Sequence, residues 1–273
     1  MVNKPQVALC YLLVGLVAVA GCGGSNKPVT TTGIRQLHQF RIVFPEGFTR
    51  AKMAQRVDAV AKIAFHERHV HPKISTRTYL AATGPRRIPG FGAKKLPLEG
   101  FLFPSTYFFD RKTTSRALVS EQLAAFETNF GNVDLAYAKS KNLTAYDVLK
   151  IASMVEGEAA VPSERKLVAA VIYNRLHAHM PLGIDATIRY GLHVPATKPL
   201  LQSELDSDNP YNSRKFLGLP PTPISNPGLA SIEAAAHPAH VDYLYFVRKP
   251  DHRHHYFTSN YQDFVNHEHL YGY

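Results

Sequence analysis

Hydrophobic and polar positions alternate with period two at the start of FRIVFPEGFTRAKMAQRVDAVAKIA (residues 40–64), then switch to helical spacing. The alternation predicts a short strand and Pro-Glu-Gly a turn. Apolar Met53, Val57 and Val60 then predict a helix with Thr49 as its N-cap. A second short helix is expected around residues 75–82, which completes a small α+β module. Residues 83–97, TGPRRIPGFGAKKLP, are basic and rich in Gly and Pro, so the domain boundary is placed within them.

Beyond that boundary, LEGFLFPSTYFF precedes a helical pattern at residues 115–130. Thr144 and Asp147 have capping-box spacing at the start of the next helix, NLTAYDVLKIASMVEGEA. If this helix continues, Val148, Ala152, Val155 and Ala159 form its buried stripe. Pro162 and Ser163 interrupt it, and Ser163 is expected to cap a second helix through ERKLVAAVIYNRLH. The remainder alternates loop signals with one clear strand at residues 242–247, and no internal repeat is visible.

The N-terminal pattern is of another kind. Residues 1–22 carry an early Lys, an apolar run at residues 7–20 and small residues, which outlines an export signal. The run is short against the roughly 20 residues a spanning helix needs. VAGC, residues 19–22, resembles a bacterial lipobox, in which Cys22 becomes the lipidated first residue; the alternative is a signal-anchor that stays in place. Both readings put the rest of the chain outside the cytoplasm on a membrane. Residues 23–38 are polar, rich in Gly, Ser and Thr and without period, as a tether would be.

Composition narrows the chemistry. With 273 residues, 45% hydrophobic and 19% charged, the chain can bury an ordinary core without staples. Cys10 and Cys22 are its two cysteines, so cysteine nucleophiles, disulfides and zinc-thiolate sites drop out of the body beyond residue 22. A net charge of +10 with 14 His favours anionic partners, of which nucleic acid is the least available after export. A generally basic surface without a defined partner is the other reading. The clusters HERHVH (66–71) and DHRHHY (251–256) lack H-E-x-x-H spacing and Cys partners, so no metal and no other cofactor is expected.

The chemistry centres on IASMVEGEAAVPSER, residues 151–165, where Glu156 and Glu158 end an apolar helical pattern. Two residues of an α-helix are about 200° apart, so the two carboxylates flank the buried stripe on opposite sides and cannot share one cleft. Geometry alone does not say which of them faces it. A two-carboxylate glycosidase needs its pair about 5 to 9.5 Å apart across a sugar, for which diverging side chains are poorly placed. One acid/base residue with a nucleophile internal to the substrate needs no second carboxylate. The bland alternative is that both simply solvate a helix end.

Several long motifs occur in order: FPEGFT, LEGFLFPSTY, ASMVEGEAAVPSERKLVAAVIYNRL, MPLGIDATIRYGL, PYNSRKFLGLPPTPISNPGLASIEAAAHPAHVDYLYFV and HYFTSNYQDFVNH. On these the chain resembles the MltG (YceG-like) family of endolytic murein transglycosylases from about residue 41 to its C-terminus. The resemblance implies an α+β chain, with a small LysM-like module at residues 39–95 followed by a catalytic domain at residues 96–273. It implies action on peptidoglycan glycan strands at the extracytoplasmic face of the cell membrane, alongside peptidoglycan synthases. By the family's VExE motif, Glu158 is the implied catalytic acid/base and Glu156 a supporting carboxylate that raises its neighbour's pKa by like-charge repulsion.

Asp185 and Thr187 match the family's cleft loop, Tyr211 and Asn212 its YNTY motif, and Asn174 lies in YNRL on the second helix; all are expected near the glycan. Arg175 is expected to pair with a carboxylate. Glu99 and Tyr107 are read as packing residues. The chain departs from the family at Ser105, at Gly183 where Gln is common and at Ala186 where Pro is common, which leaves room for a non-catalytic peptidoglycan-binding protein. A hydrolytic muramidase, with Asp185 placing a water, is a third reading.

Overall fold

A computed structural model describes residues 39–272. The export signal, the tether and Cys22 lie outside the described residues. Among those described, no helix is long and apolar enough to cross a membrane.

The first strand, β1 (Phe40–Val43), buries Ile42 and exposes Arg41 and Val43, as the alternation requires. Helix α1 (Arg50–Arg68) starts at Thr49, whose hydroxyl accepts from the Lys52 N–H, and α2 (Thr76–Ala82) starts with a Ser75–Thr78 capping box. A lone strand leaves its backbone groups unpaired. Here β2 (Thr106–Phe109) supplies the partner, antiparallel, with Phe40 opposite Phe109 and Ile42 opposite Tyr107.

That pairing crosses the loop in which the sequence places a boundary. β2 lies beyond residue 95, and Ile42, Phe44 and Tyr79 share one core with Phe101, Leu102 and Phe109. The described residues belong to one compact unit. Residues 83–97 form a loop of that unit. It is closed by a bridge between Arg86 and Leu96 and pinned by Phe91, whose ring lies 4.9 Å from Phe101 and 5.1 Å from Phe130. Gly and Pro signal a loop there, and a loop forms.

Helix α3 (Ser115–Gly131), capped by Thr114, and the short α4 (Ala136–Ser140) lead to α5 (Ala145–Glu158). The Thr144–Asp147 capping box forms as expected. Val148, Leu149, Ile151, Ala152, Met154 and Val155 have no exposed surface, so α5 is enclosed on several sides and its buried face exceeds a single stripe. A 3₁₀ turn (Pro162–Glu164) precedes α6 (Arg165–His177). Ser163 does not cap α6. It lies inside the turn, and Glu164 occupies the cap position with its side chain directed elsewhere.

The chain continues through α7 (Asp185–Leu192), α8 (Gln202–Leu205) and α9 (Leu229–Ala236). Small residues, Ala234 to Ala236, let α9 pack closely on α5 and α6. A hairpin of β3 (Tyr245–Arg248) and β4 (His255–Thr258) and a last helix, α10 (Tyr261–Tyr271), complete the unit. The expected strand at 242–247 is thus β3, starting three residues later, and β4 is its unforeseen antiparallel partner. The architecture is α+β, dominated by helices with two small sheets.

Candidate active site

The C-terminal end of α5 presents two carboxylates in different directions, as their angular separation demands. Glu156 turns toward the N-terminus of α9, where its Oε2 accepts from the Gly228 N–H at 3.1 Å and the Ser231 hydroxyl at 2.7 Å. It therefore satisfies amides that the start of α9 leaves unpaired. Asn226, two residues earlier, fixes the loop that leads there. Its Oδ1 accepts from the Gly100 and Leu102 N–H groups, and its Nδ2 donates to the Phe48 carbonyl and to Glu99.

Glu158 turns toward α7 and the β3–β4 hairpin. Its side chain is 12% exposed, and its Oε2 lies 3.7 Å from Arg248 Nη2. The Ala186 N–H, in the first turn of α7, favours its charged form. Gly157 permits this approach, because a Cβ there would sit 3.3 Å from the Ala186 Cβ. Burial raises the Glu158 pKa above the ordinary carboxyl value. The Asp185 charge raises it further, while Arg248, the Ala186 N–H and Arg189 oppose, and the net direction is upward.

Glu156 is not among these causes. The expected like-charge neighbour is Asp185, on another helix, because side chains about 200° apart on one helix point away from each other. The Glu156 charge acts instead on Glu46, whose pKa is raised by burial and by Glu156.

Asp185 opens α7 and stands at the exposed rim beside Glu158. Its Oδ1 accepts from Arg214 Nε at 2.9 Å and Nη2 at 2.7 Å. Tyr211 is half-buried, with its hydroxyl 2.8 Å from the Thr222 hydroxyl and its ring edge-on to Tyr190. Thr187 and Asn212 have no exposed surface. Thr187 bonds the Ile184 carbonyl and the Ser213 hydroxyl, and Asn212 donates to the carbonyls of Leu205 and Ser207 and accepts from the Arg214 N–H. They shape the loops that carry Asp185 and Arg214, and neither is exposed.

Asn174 donates to the carbonyls of Val241 and Tyr243, and it lines a separate groove with Tyr137, Tyr173 and His240 that includes neither Glu158 nor Asp185. Arg175 has no carboxylate partner. It donates to the carbonyls of Pro181, Leu182 and Leu244 and stacks over Tyr245, so it splices backbone turns together. Its Nη1 would lie only 3.0 Å from a Cβ on Gly183, and Gly183 has φ +63°. Glycine suits both constraints at that departure from the family pattern.

Sequence reasoning missed Arg248, Arg214 and Arg189, which surround the carboxylates, and the buried contact of Glu164 with His255. Arg214, Arg189, Glu164 and His255 lie inside motifs already singled out and could have been found there; Arg248 falls one residue beyond one of them. Among the described residues, no group of three or more His, Cys, Asp or Glu gathers in ligand geometry.

Fold and site thus define an α+β protein with a desolvated carboxylic acid, Glu158, set near arginines at the end of a buried helix. The sequence pattern of the YceG-like family matches residues 26–269, and the chain belongs to that family. It is 34% identical over 239 residues to an endolytic murein transglycosylase of Streptococcus pneumoniae strain R6, a match covering 81% of this chain and 43% of that protein. It is 38% identical over 155 residues to one of Bacillus subtilis strain 168, covering 57% of this chain and 43% of that protein. The chain therefore spans less than half the length of these relatives. In three dimensions it resembles a crystal structure of a YceG-like protein from Listeria monocytogenes, with TM-score 0.66, 29% identity and coverage of 84% of this chain and 75% of that one.

Proposed function

We propose that the protein is an endolytic murein transglycosylase that cleaves MurNAc–GlcNAc bonds inside nascent glycan strands and so ends their elongation. The observation that carries this reading is Glu158, a carboxylic acid with 12% of its side chain exposed and a raised pKa, held at the end of α5. A general acid must hold its proton near the working pH, and burial shifts Glu158 in that direction.

In the first half of the reaction Glu158 gives its proton to the bridging oxygen, and the bond from that oxygen to C1 of MurNAc breaks. The oxocarbenium that develops is captured by the 6-hydroxyl of the same sugar. Glu158, now ionised, takes the hydroxyl proton and returns to its starting state, leaving a 1,6-anhydro end and a free hydroxyl on the departing GlcNAc. No water is consumed, and the nucleophile is already held at high effective molarity. Arg248 steadies the transient carboxylate, and the Asp185–Arg214 pair forms the polar rim on which the glycan is oriented. Thr187, Asn212 and Asn174 act by holding the loops around it.

The strand–helix–helix–strand half of the body, residues 40–109, is the place for the expected LysM-like glycan contact. The N-terminal segment would keep the enzyme on the outer face of the cell membrane, through acylated Cys22 or a retained anchor, beside peptidoglycan synthases.

Glu158→Gln keeps the shape and removes the proton. Mass spectrometry of digested glycan strands should show anhydro ends with the wild-type protein and none with the variant, with the thermal unfolding transition retained. Wild-type turnover by the variant would refute the assignment, and reducing ends in place of anhydro ends would make the protein a hydrolase.

A further inference from the structure

The loop that leaves α5 carries two carboxylates, Glu158 and Glu164, and both meet the same hairpin. Arg248 on β3 and His255 on β4 are cross-strand partners in its ladder, so their side chains emerge side by side on one face. Glu158 takes the first of this pair at 3.7 Å and Glu164 the second. The two contacts differ in kind. Arg248 is 41% exposed, and its pairing with Glu158 is screened by solvent. Glu164 and His255 are almost wholly enclosed, with side chains 9% and 1% exposed.

The enclosed contact is a double one. The His255 N–H donates to Glu164 Oε1 at 2.9 Å, and His255 Nδ1 lies 2.7 Å from Oε2. A carboxylate only accepts, so Nδ1 carries the hydrogen. Burial lowers the His255 pKa, which keeps the ring neutral at neutral pH. The remaining ring faces pack against Phe246 and Phe257. Glu164 therefore makes no side-chain capping bond to α6 and instead grips one strand of the hairpin by backbone and side chain together.

We infer that the Glu164–His255 contact is the dock that fixes the β3–β4 hairpin on the α5–α6 loop, and that it thereby positions Arg248 against Glu158. Glu164 and His255 are positioning residues, and their role in cleavage rests on Glu158 being the acid/base of the proposed reaction. The charged groups facing Glu158 are Arg248 from β3 and Asp185 and Arg189 from α7, and those facing His255 are Glu164, Arg248 and Asp251. Arg248 is the one group common to both sets, so it is the route by which the dock reaches the acid.

The test is a carbon-13 NMR titration of the Glu158 carboxyl, assigned by its loss in Glu158→Gln, which needs no glycan and stays informative whether or not the protein cleaves. Arg248→Met removes the cation that opposes the raised pKa, so the Glu158 midpoint should rise by about half a pH unit or more, a threefold change in proton affinity. Glu164→Ala should raise it by a similar amount with Arg248 still present. Glu164→Gln, which keeps the shape and one acceptor, should raise it less, and it stands in for Ala if that variant does not fold. Should Arg248→Met move the midpoint while the folded Glu164 variants leave it where it was, the dock does not position Arg248. Should Arg248→Met itself leave it unmoved, the inference fails at its first link.

Discussion

Replacing Glu99 by glutamine removes a titrating proton from the interior while keeping the side chain's shape. Glu99 is 5% exposed; its Oε1 accepts from the Arg50 N–H at 2.8 Å and Asn226 Nδ2 at 2.9 Å, and its Oε2 from the Tyr190 hydroxyl at 3.1 Å. Burial pushes its pKa from 4.5 up to about 7, against the pull of these hydrogen bonds and the Arg50 charge. The folded state thus holds this proton more tightly than the unfolded chain does, so stability falls as pH rises between those two values. Above about pH 7 the full penalty is present, about 3 kcal/mol at 1.36 kcal/mol for each pH unit. Glutamine can keep Oε1 as acceptor and turn its amide toward the Tyr190 oxygen, so the packing survives. Urea unfolding of both proteins from pH 4.5 to 8 should show the variant gaining about 3 kcal/mol on the wild type across that window, whatever the fixed offset between them. Two stability curves that run parallel would refute the reasoning and show Glu99 to be ionised throughout.

Two further predictions separate the carboxylates and probe the α7 contact. Glu156→Ala removes the acceptor at the start of α9 and should cost about 1 kcal/mol in urea unfolding, with a smaller loss of cleavage than Glu158→Gln. Ala186→Pro restores the residue common in the family and deletes an N–H that favours the charged form of Glu158; the Glu158 pKa should move up. The alkaline limb of the cleavage rate, where the acid loses its proton, should then move to higher pH.

Local chemistry made much of this protein legible before its fold was known. The caps at Thr49 and in the Thr144–Asp147 box, the helix at residues 115–130 and the apolar positions of α5 follow from hydrogen bonding and periodicity within a few residues. The divergence of Glu156 and Glu158 follows from the 3.6-residue turn alone. What neighbours those carboxylates was decided by tertiary structure: Asp185, Ala186 and Arg248 come to Glu158 from α7 and β3, and Gly228 and Ser231 come to Glu156 from α9. Pairing across long separations leaves no mark on the local pattern. So β2 as partner of β1, the burial of Thr187 and Asn212, and the grip of Glu164 on His255 became visible only once the chain had closed on itself. Desolvation is likewise a property of the whole fold, and it raises the proton affinity of one of two glutamates that the sequence pattern leaves equivalent.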